Sequence, residues 1–298
     1  MKQLINVCYF QYKRIKKERE TLKKIKWLSV TVLTVVLLVL GACGSNEQTS
    51  SGSKGDKDEE VTLKIGAASI PHAEILEFIA PDLEKQGVKL DVVISTDGIQ
   101  TNQQTADKEL DANFFQHTPY LEQVNKDSGL NLVNVKGVHI EPFGVYSKKI
   151  KSIGELSDGA KVAVPKDPVN FSRSLQLFAA NNIIELDASK SGDYTIGDIT
   201  KNDKKIEFIP VDSPLLVHSL DDVEASAINT NYALEGGLKP LDDALIIEGK
   251  DSPYVNILVA RPDNKDDKAI QKLANALTTE KVKEFIFDQY EGAVVPAF

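Results

Sequence analysis

Two hydrophobic periods take turns along the chain from Val61 onward. "VTLKIGAAS" is a run of β-branched and apolar residues that reads as a buried strand. After Pro71, Ile75, Ile79 and Leu83 recur at i, i+4, i+8, the spacing of one helix face. Pro81 predicts a kink or restart of that helix, Gly87 its end, and "KLDVVIS" the next strand. Strand, helix and strand in this order imply a parallel pair with a right-handed crossover. The pattern resumes with a strand at "KVAVPKD", a helix through "SRSLQLFAANN", a strand at "IEFIPV", a helix at "PLLVHSLDDV" and a strand at "ASAINT". "SPYVNILVARPD" adds one more strand. A helical pattern from Asp266 to about Gln289 closes the chain, with Ile270, Leu273, Leu277, Phe285 and Ile286 on its apolar side.

Two α/β units with a third segment returning late predict two lobes joined by crossing strands. One lobe would hold residues 61–142 plus 254–298, the other 146–250. Ligands in open α/β sheets bind beyond the C-terminal ends of strands, so two such lobes would face each other across a cleft and close on it by hinge motion.

The N-terminal pattern is of another kind. Nine basic residues precede Trp27, and Trp27 to Leu40 is uncharged and mostly apolar. About fourteen such residues fall short of the roughly 20 that span a bilayer, which suits the h-region of a signal peptide. The run ends in Leu40-Gly41-Ala42-Cys43, which looks like a bacterial lipobox. Residues 1–42 then form the signal peptide, and Cys43, lipidated, becomes the first residue of the mature protein. The n-region is long, and initiation nearer Leu22 would give one of ordinary length. Residues 43–60, rich in Ser, Gly and charge, hold no apolar residue to build a core and predict a flexible tether. The expected location is the outer face of the cytoplasmic membrane, held there by lipid.

Charge narrows the partners. The chain carries 35 basic and 44 acidic residues, but nine of the former and only two of the latter lie in the first 26 positions. From Cys43 onward 26 basic residues face 42 acidic ones, a net charge of −16 that would repel nucleic acid and anionic lipid alike. The two cysteines, Cys8 and Cys43, both precede Gly44, so the body has no disulfide, thiolate metal site or thiol nucleophile. No G-x-S-x-G elbow, P-loop or G-x-G-x-x-G is present, and His72, His117, His139 and His218 form no H-x-x-x-H pair. The expectation is a non-enzymatic protein with no cofactor and no metal.

The unusual polar and aromatic content gathers at strand ends, where binding residues concentrate. "ASIPHAEILE", "TDGIQTNQ", "DANFFQHTPYL", "HIEPFGVYS", "VPKDPVNFSRS", "INTNYA" and "DSPYVN" follow one another in that order. In this order they resemble the NlpA/MetQ family, the substrate-binding lipoproteins of methionine ABC importers. The resemblance runs from Val61 to Phe298, including the terminal "GAVVPAF", and the lipobox agrees with it. It implies an α/β, type II periplasmic-binding-protein-like fold. Its ligand would be L-methionine or a close relative, trapped between lobes and handed to an ABC permease driven by its ATPase subunit.

Arg173 is the only arginine between Arg19 and Arg261, in a body that otherwise uses lysine. Its planar guanidinium can hold a carboxylate by two parallel hydrogen bonds, and Asn170 or Ser172 beside it could cap a helix whose free N–H groups favour the same anion. An amide at Asn229 can donate to a carboxylate and accept from an ammonium, and the resemblance places it at the ligand. Asn231 reads better as a turn residue. Asn170 could serve the ligand too, and Glu141 is a candidate for its ammonium. In "DANFFQHTPYL" strand alternation sends some rings to the core and others to the cleft. The resemblance implies Phe114, His117 and Tyr120 at the ligand and leaves Phe115 to the core. Aromatic walls suit a thioether, since sulfur–ring contacts add roughly 0.3–1.5 kcal/mol. One departure stands out. Many methionine-binding members carry an aromatic residue after the Asp of a D-Y-x-x-P-N type of motif, where this chain has Gly98, with Thr101 in the proline position. A methionine-containing dipeptide, D-methionine or another apolar amino acid therefore stays open as the ligand. Outside that class stand a surface adhesin or interaction lipoprotein and an extracellular hydrolase.

Overall fold

A computed structural model describes residues 60–298; the signal peptide, Cys43 and nearly all of the tether lie outside the described residues. The first lobe opens with β1 (Val61–Ala67), α1 (Glu74–Glu84), β2 (Val88–Ile94), α2 (Gly98–Ala106), β3 (Ala112–His117), α3 (Thr118–Ser128) and β4 (Val133–Ile140). The chain then crosses to β5 (Gly144–Tyr146), β6 (Lys161–Pro165), α4 (Pro168–Ala180), β7 (Glu185–Leu186), β8 (Ile199–Lys201) and β9 (Glu207–Val211). The second lobe is completed by α5 (Leu216–Ser219), β10 (Ala225–Ile228), α6 (Thr230–Glu235), α7 (Pro240–Asp243) and β11 (Ala244–Ile247). The return leg adds β12 (Val255–Ala260), α8 (Lys268–Ala276), α9 (Glu280–Tyr290) and β13 (Val295–Pro296) to the first lobe.

The two main sheets have the orders β2-β1-β3-β12-β4-β13 and β9-β6-β10-β5-β11. β1, β2 and β3 run parallel, as do β6, β9 and β10. The C-terminal ends of these strands lead into the segments that line one cleft: 95–99 after β2, His117 at the end of β3, 166–167 after β6, 212–215 after β9 and Asn229 after β10. Each sheet buries its own apolar core. Ile65, Ile75, Leu76, Leu83, Leu258, Leu273 and Ile286 pack in the first, and Phe143, Val162, Val164, Leu175 and Phe178 in the second.

Several elements differ from the pattern-based reading, each for a local reason. The first helix does not break at Pro81: α1 runs through it, and a short irregular π turn at Ser69–Ala73 precedes the helix instead. The closing helix is two, α8 and α9, because the Thr279 side chain accepts the Val282 N–H and starts a new helix at Glu280. Neither Asn170 nor Ser172 caps α4. Asp167 does, accepting the Asn170 N–H at 2.9 Å, with Pro168 in the first turn where its missing N–H costs nothing. "PLLVHSLDDV" supplies only the four-residue α5 after a single 3-10 turn.

Candidate functional site

A cleft of about 530 Å³ lies where these strand ends meet. From the first lobe it is lined by Gly98, Ile99, Phe115, Gln116, His117, Tyr120 and Asn256, and from the second by Asp167, Asn170, Arg173, Asn229, Asn231 and Tyr232. Glu141, on the first crossing between lobes, forms part of its wall.

The structure reverses the assignment of the two phenylalanines. Phe114 is fully buried in the first core, edge-on to the rings of His72 and His139 at 4.7 and 5.4 Å. Phe115 is half-buried on the cleft wall. Alternation puts the two neighbours on opposite faces, and the α1, α8 and α9 side of the sheet, where Phe114 points, is the core. Ile257 of β12 sits opposite Gln116 and Leu258 opposite Phe114, so Phe115 also has no partner across that ladder, a β-bulge.

His117 and Tyr120 do line the cleft. His117 caps α3: its Nδ1 accepts the Tyr120 N–H at 3.2 Å, which leaves Nε2–H to donate to Asn170 Oδ1 at 3.1 Å. Burial, and then Arg173, hold its pKa down to about 3, so the ring is neutral. With both nitrogens engaged, His117 is an aromatic wall and a bridge between lobes rather than a free donor. Burial is also the main reason the Tyr120 hydroxyl is pushed well above its ordinary value. The departure at Gly98 is filled by these neighbours. A Cβ there would lie 2.7 Å from Tyr120 Oη and 2.8 Å from Phe115 Cε2, so the two rings occupy the space a side chain would need.

Asn170 and Asn229 form one hydrogen-bonded unit. Asn170 Nδ2 donates to the carboxylate of Asp167 at 3.1 Å, and Asn170 Oδ1 accepts from Asn229 Nδ2 at 3.1 Å. Asn229 Oδ1 is buried with no hydrogen-bond partner among the described residues. A buried acceptor left unpaired costs on the order of 1–3 kcal/mol, so this oxygen is set for an N–H donor.

Arg173 faces the cleft from α4 but does not offer the two-bond fork expected of it. Its Nε and Nη2 donate to the two oxygens of Glu248 at 2.8 and 2.5 Å, and Nη2 also donates to the Glu141 carbonyl at 2.9 Å. Nη1 is the nitrogen without a protein acceptor among the described residues. Glu141 itself is held from below. Its Oε1 accepts from His139 Nε2 at 2.8 Å, with His72 Nε2 3.4 Å away, and Oε2 accepts the Asn231 N–H at 3.0 Å. Burial lowers the pKa of His72 to about 4 and of His139 to about 3, so both rings are neutral. Burial raises that of Glu141, against the opposing pull of His72, the Asn231 N–H and Arg173. Two of the four histidines that look scattered in the sequence, His72 and His139, thus lie beside this carboxylate. The three residues offer ligating atoms within 4.8 Å of one another, but His139 Nε2 is already paired with the carboxylate and His72 Nε2 with Asn256 Oδ1 at 3.1 Å.

Of the lining residues, sequence reasoning gave Phe115 and Asn231 other roles and did not single out Gln116, Tyr232 or Asn256; nor did it single out Tyr254 and Glu248, which contact Arg173. "DSPYVN" draws attention to Tyr254 and Asn256 as a strand-end segment, whereas nothing local marks Glu248.

Two α/β lobes with parallel strand ends facing one cleft, joined by two chain crossings, define a periplasmic-binding-protein-like fold. Known proteins agree. The methionine-binding lipoprotein MetQ of Bacillus subtilis is 40% identical over 260 residues, 86% of this chain and 92% of that protein. Outer membrane lipoprotein 2 of Mannheimia haemolytica is 39% identical over 255 residues, 85% of this chain and 92% of its own length. A nutrient binding protein from Burkholderia cenocepacia, solved bound to methionine, superposes with a TM-score of 0.76 at 39% identity, covering 79% of this chain and 100% of that one. The chain belongs to the NlpA lipoprotein family, whose model matches residues 63–298.

Proposed function

We propose that the cleft binds the zwitterion of L-methionine, or of a close relative, and delivers it to an ABC permease and its ATPase subunit. One observation carries the reading. Arg173 Nη1 is a cationic donor and Asn229 Oδ1 an unpaired acceptor, and both residues line the same cleft. An α-carboxylate would take the first and an α-ammonium the second, with the Glu141 carboxylate adding negative potential on the ammonium side. Phe115, Tyr120 and His117 supply the aromatic wall for a thioether. Ligand contacts from both lobes at once would shift the population toward a closed form that a permease can recognise. Attachment would rest on acyl chains at Cys43, on the outer face of the cytoplasmic membrane, as the lipobox suggests; among the described residues no helix is long and apolar enough to cross a membrane.

Mass spectrometry of the small molecules released on denaturing the purified protein tests this reading. Stoichiometric methionine is expected, together with a rise in melting temperature on adding L-methionine. Release of a dipeptide or another amino acid would keep the binding role and move the specificity. No released ligand and no shift with any of these compounds would refute it.

A further inference from the structure

Arg173 is held on every side except one. Its guanidinium lies over the Tyr254 ring at 4.1 Å and the Phe143 ring at 5.1 Å, which fixes its plane. Rotation within that plane is blocked by Glu248 along the Nε–Nη2 edge and by the Glu141 carbonyl at Nη2. Glu248 in turn does not depend on Arg173 for its place. Its Oε2 also accepts the Phe143 N–H at 3.1 Å, with the Ser252 hydroxyl 3.4 Å away. Phe143 lies on the outward crossing between lobes; Glu248, Ser252 and Tyr254 lie on the return one.

We propose that Glu248, which is not part of the cleft lining, is the positioning residue for Arg173: it turns the guanidinium so that Nη1 alone meets a ligand carboxylate, and it ties that contact to both chain crossings. The proposal rests on the reading of the cleft as an amino-acid site. The rival role for Glu248 is that of an internal competitor, which the ligand carboxylate would displace from the fork. The geometry favours positioning, because the carboxylate has backbone and hydroxyl donors of its own and does not line the cleft. The Arg173 and Glu248 side chains are 3% and 15% exposed, so their bidentate pair is buried enough for geometry to matter.

Two measurements on the full lipoprotein in detergent decide between the roles. The first is read on the wild-type protein. From Cys43 onward the chain has two arginines, Arg173 and Arg261, so the side-chain Nε–H resonances in a ¹⁵N spectrum can be assigned by replacing Arg261. Positioning predicts that the Arg173 Nε–H is protected from exchange without ligand and keeps its shift and protection when L-methionine is added. Loss of protection, or a large shift on binding, would overturn it. The second is calorimetry of Glu248→Gln and Glu248→Asp with L-methionine and with L-methioninamide, which lacks the carboxylate charge. Both variants are expected to weaken methionine about tenfold, the scale of a charged hydrogen bond put out of line, and methioninamide by less than half as much on a logarithmic scale. Tighter methionine binding by Glu248→Gln would show a competitor, and equal losses for both ligands would show a purely structural role; either result overturns the proposal. Failure of the wild-type protein to bind methionine would instead strike the cleft reading, while Nε–H protection in the free protein still reports on Glu248.

Discussion

Exchanging the roles of Phe114 and Phe115 has consequences that pull stability and affinity apart. Phe114 is 0% exposed and packs among Ile65, Ile75 and Leu258 and against two buried imidazoles. Phe114→Ala should cost about 3–5 kcal/mol of folding stability. At about 2–4 °C per kcal/mol for a body of this size, the melting temperature should fall by about 6–20 °C. Phe114→Leu keeps most of the apolar volume and should lose less, with methionine affinity nearly unchanged. Phe115 stands on the cleft wall beside Tyr120, ring centroids 6.4 Å apart. Phe115→Ala removes a sulfur–ring contact and some buried area, about 1–2 kcal/mol of binding, or 5- to 30-fold in affinity. Its melting temperature should move by only a few degrees. Calorimetry with L-methionine and thermal melts of the same preparations measure both quantities. If Phe115→Ala bound methionine as tightly as wild type while Phe114→Leu did not, this assignment of the two rings would be wrong.

Gly98→Ala should push back Tyr120 Oη and Phe115 Cε2, which leave 2.7 and 2.8 Å for the new carbon, and weaken methionine binding up to about tenfold; undiminished affinity would show that the rings give way freely. Arg173→Ala should weaken methionine more than tenfold. It should also lower the melting temperature, because it leaves Glu248 with no cation in a mostly buried position, a loss of about 3–5 kcal/mol; unchanged affinity would remove Arg173 from the site. The sequence alone suggests a fold left intact by that substitution, and the ion pair is what changes the expectation. Acid should destabilise the protein. His72, His117 and His139 titrate at about 4, about 3 and about 3 when folded, so from their unfolded value of about 6.5 down to there the unfolded chain binds protons that the folded one refuses. Each contributes a loss of up to about 1.4 kcal/mol per pH unit across that window. Glu141 and Asp167, whose pKa values burial raises, take up protons more readily when folded and offset part of it. Three histidines against two carboxylates leave a melting temperature that falls between pH 7 and pH 5, and a flat or rising profile would refute the balance.

Periodicity in the sequence already determines most of the architecture. Runs such as "VTLKIGA" and "KVAVP" are too apolar to be anything but buried strands, and the late return of "VNILVA" calls for a chain that crosses between lobes twice. The identity of the cleft segments is legible as well, since polar and aromatic residues at strand ends have no core to enter. His117, Tyr120, Asn170, Arg173, Asn229 and Glu141, separated by as many as 112 positions, all line one cleft. What each side chain does there is a matter of tertiary structure alone. Alternation puts Phe114 and Phe115 on opposite faces but does not say which face is core; that is decided by the helices packed on one side, two of which arrive more than 140 residues later. The edge of Arg173 left open is set by Glu248, 75 residues away, and the support beneath Glu141 by His139 and the Asn231 N–H, 92 residues apart. Local sequence sets which backbone groups pair nearby; contacts between distant segments, which register and packing alone bring together, decide where a polar group points and which of its bonds remain to be made.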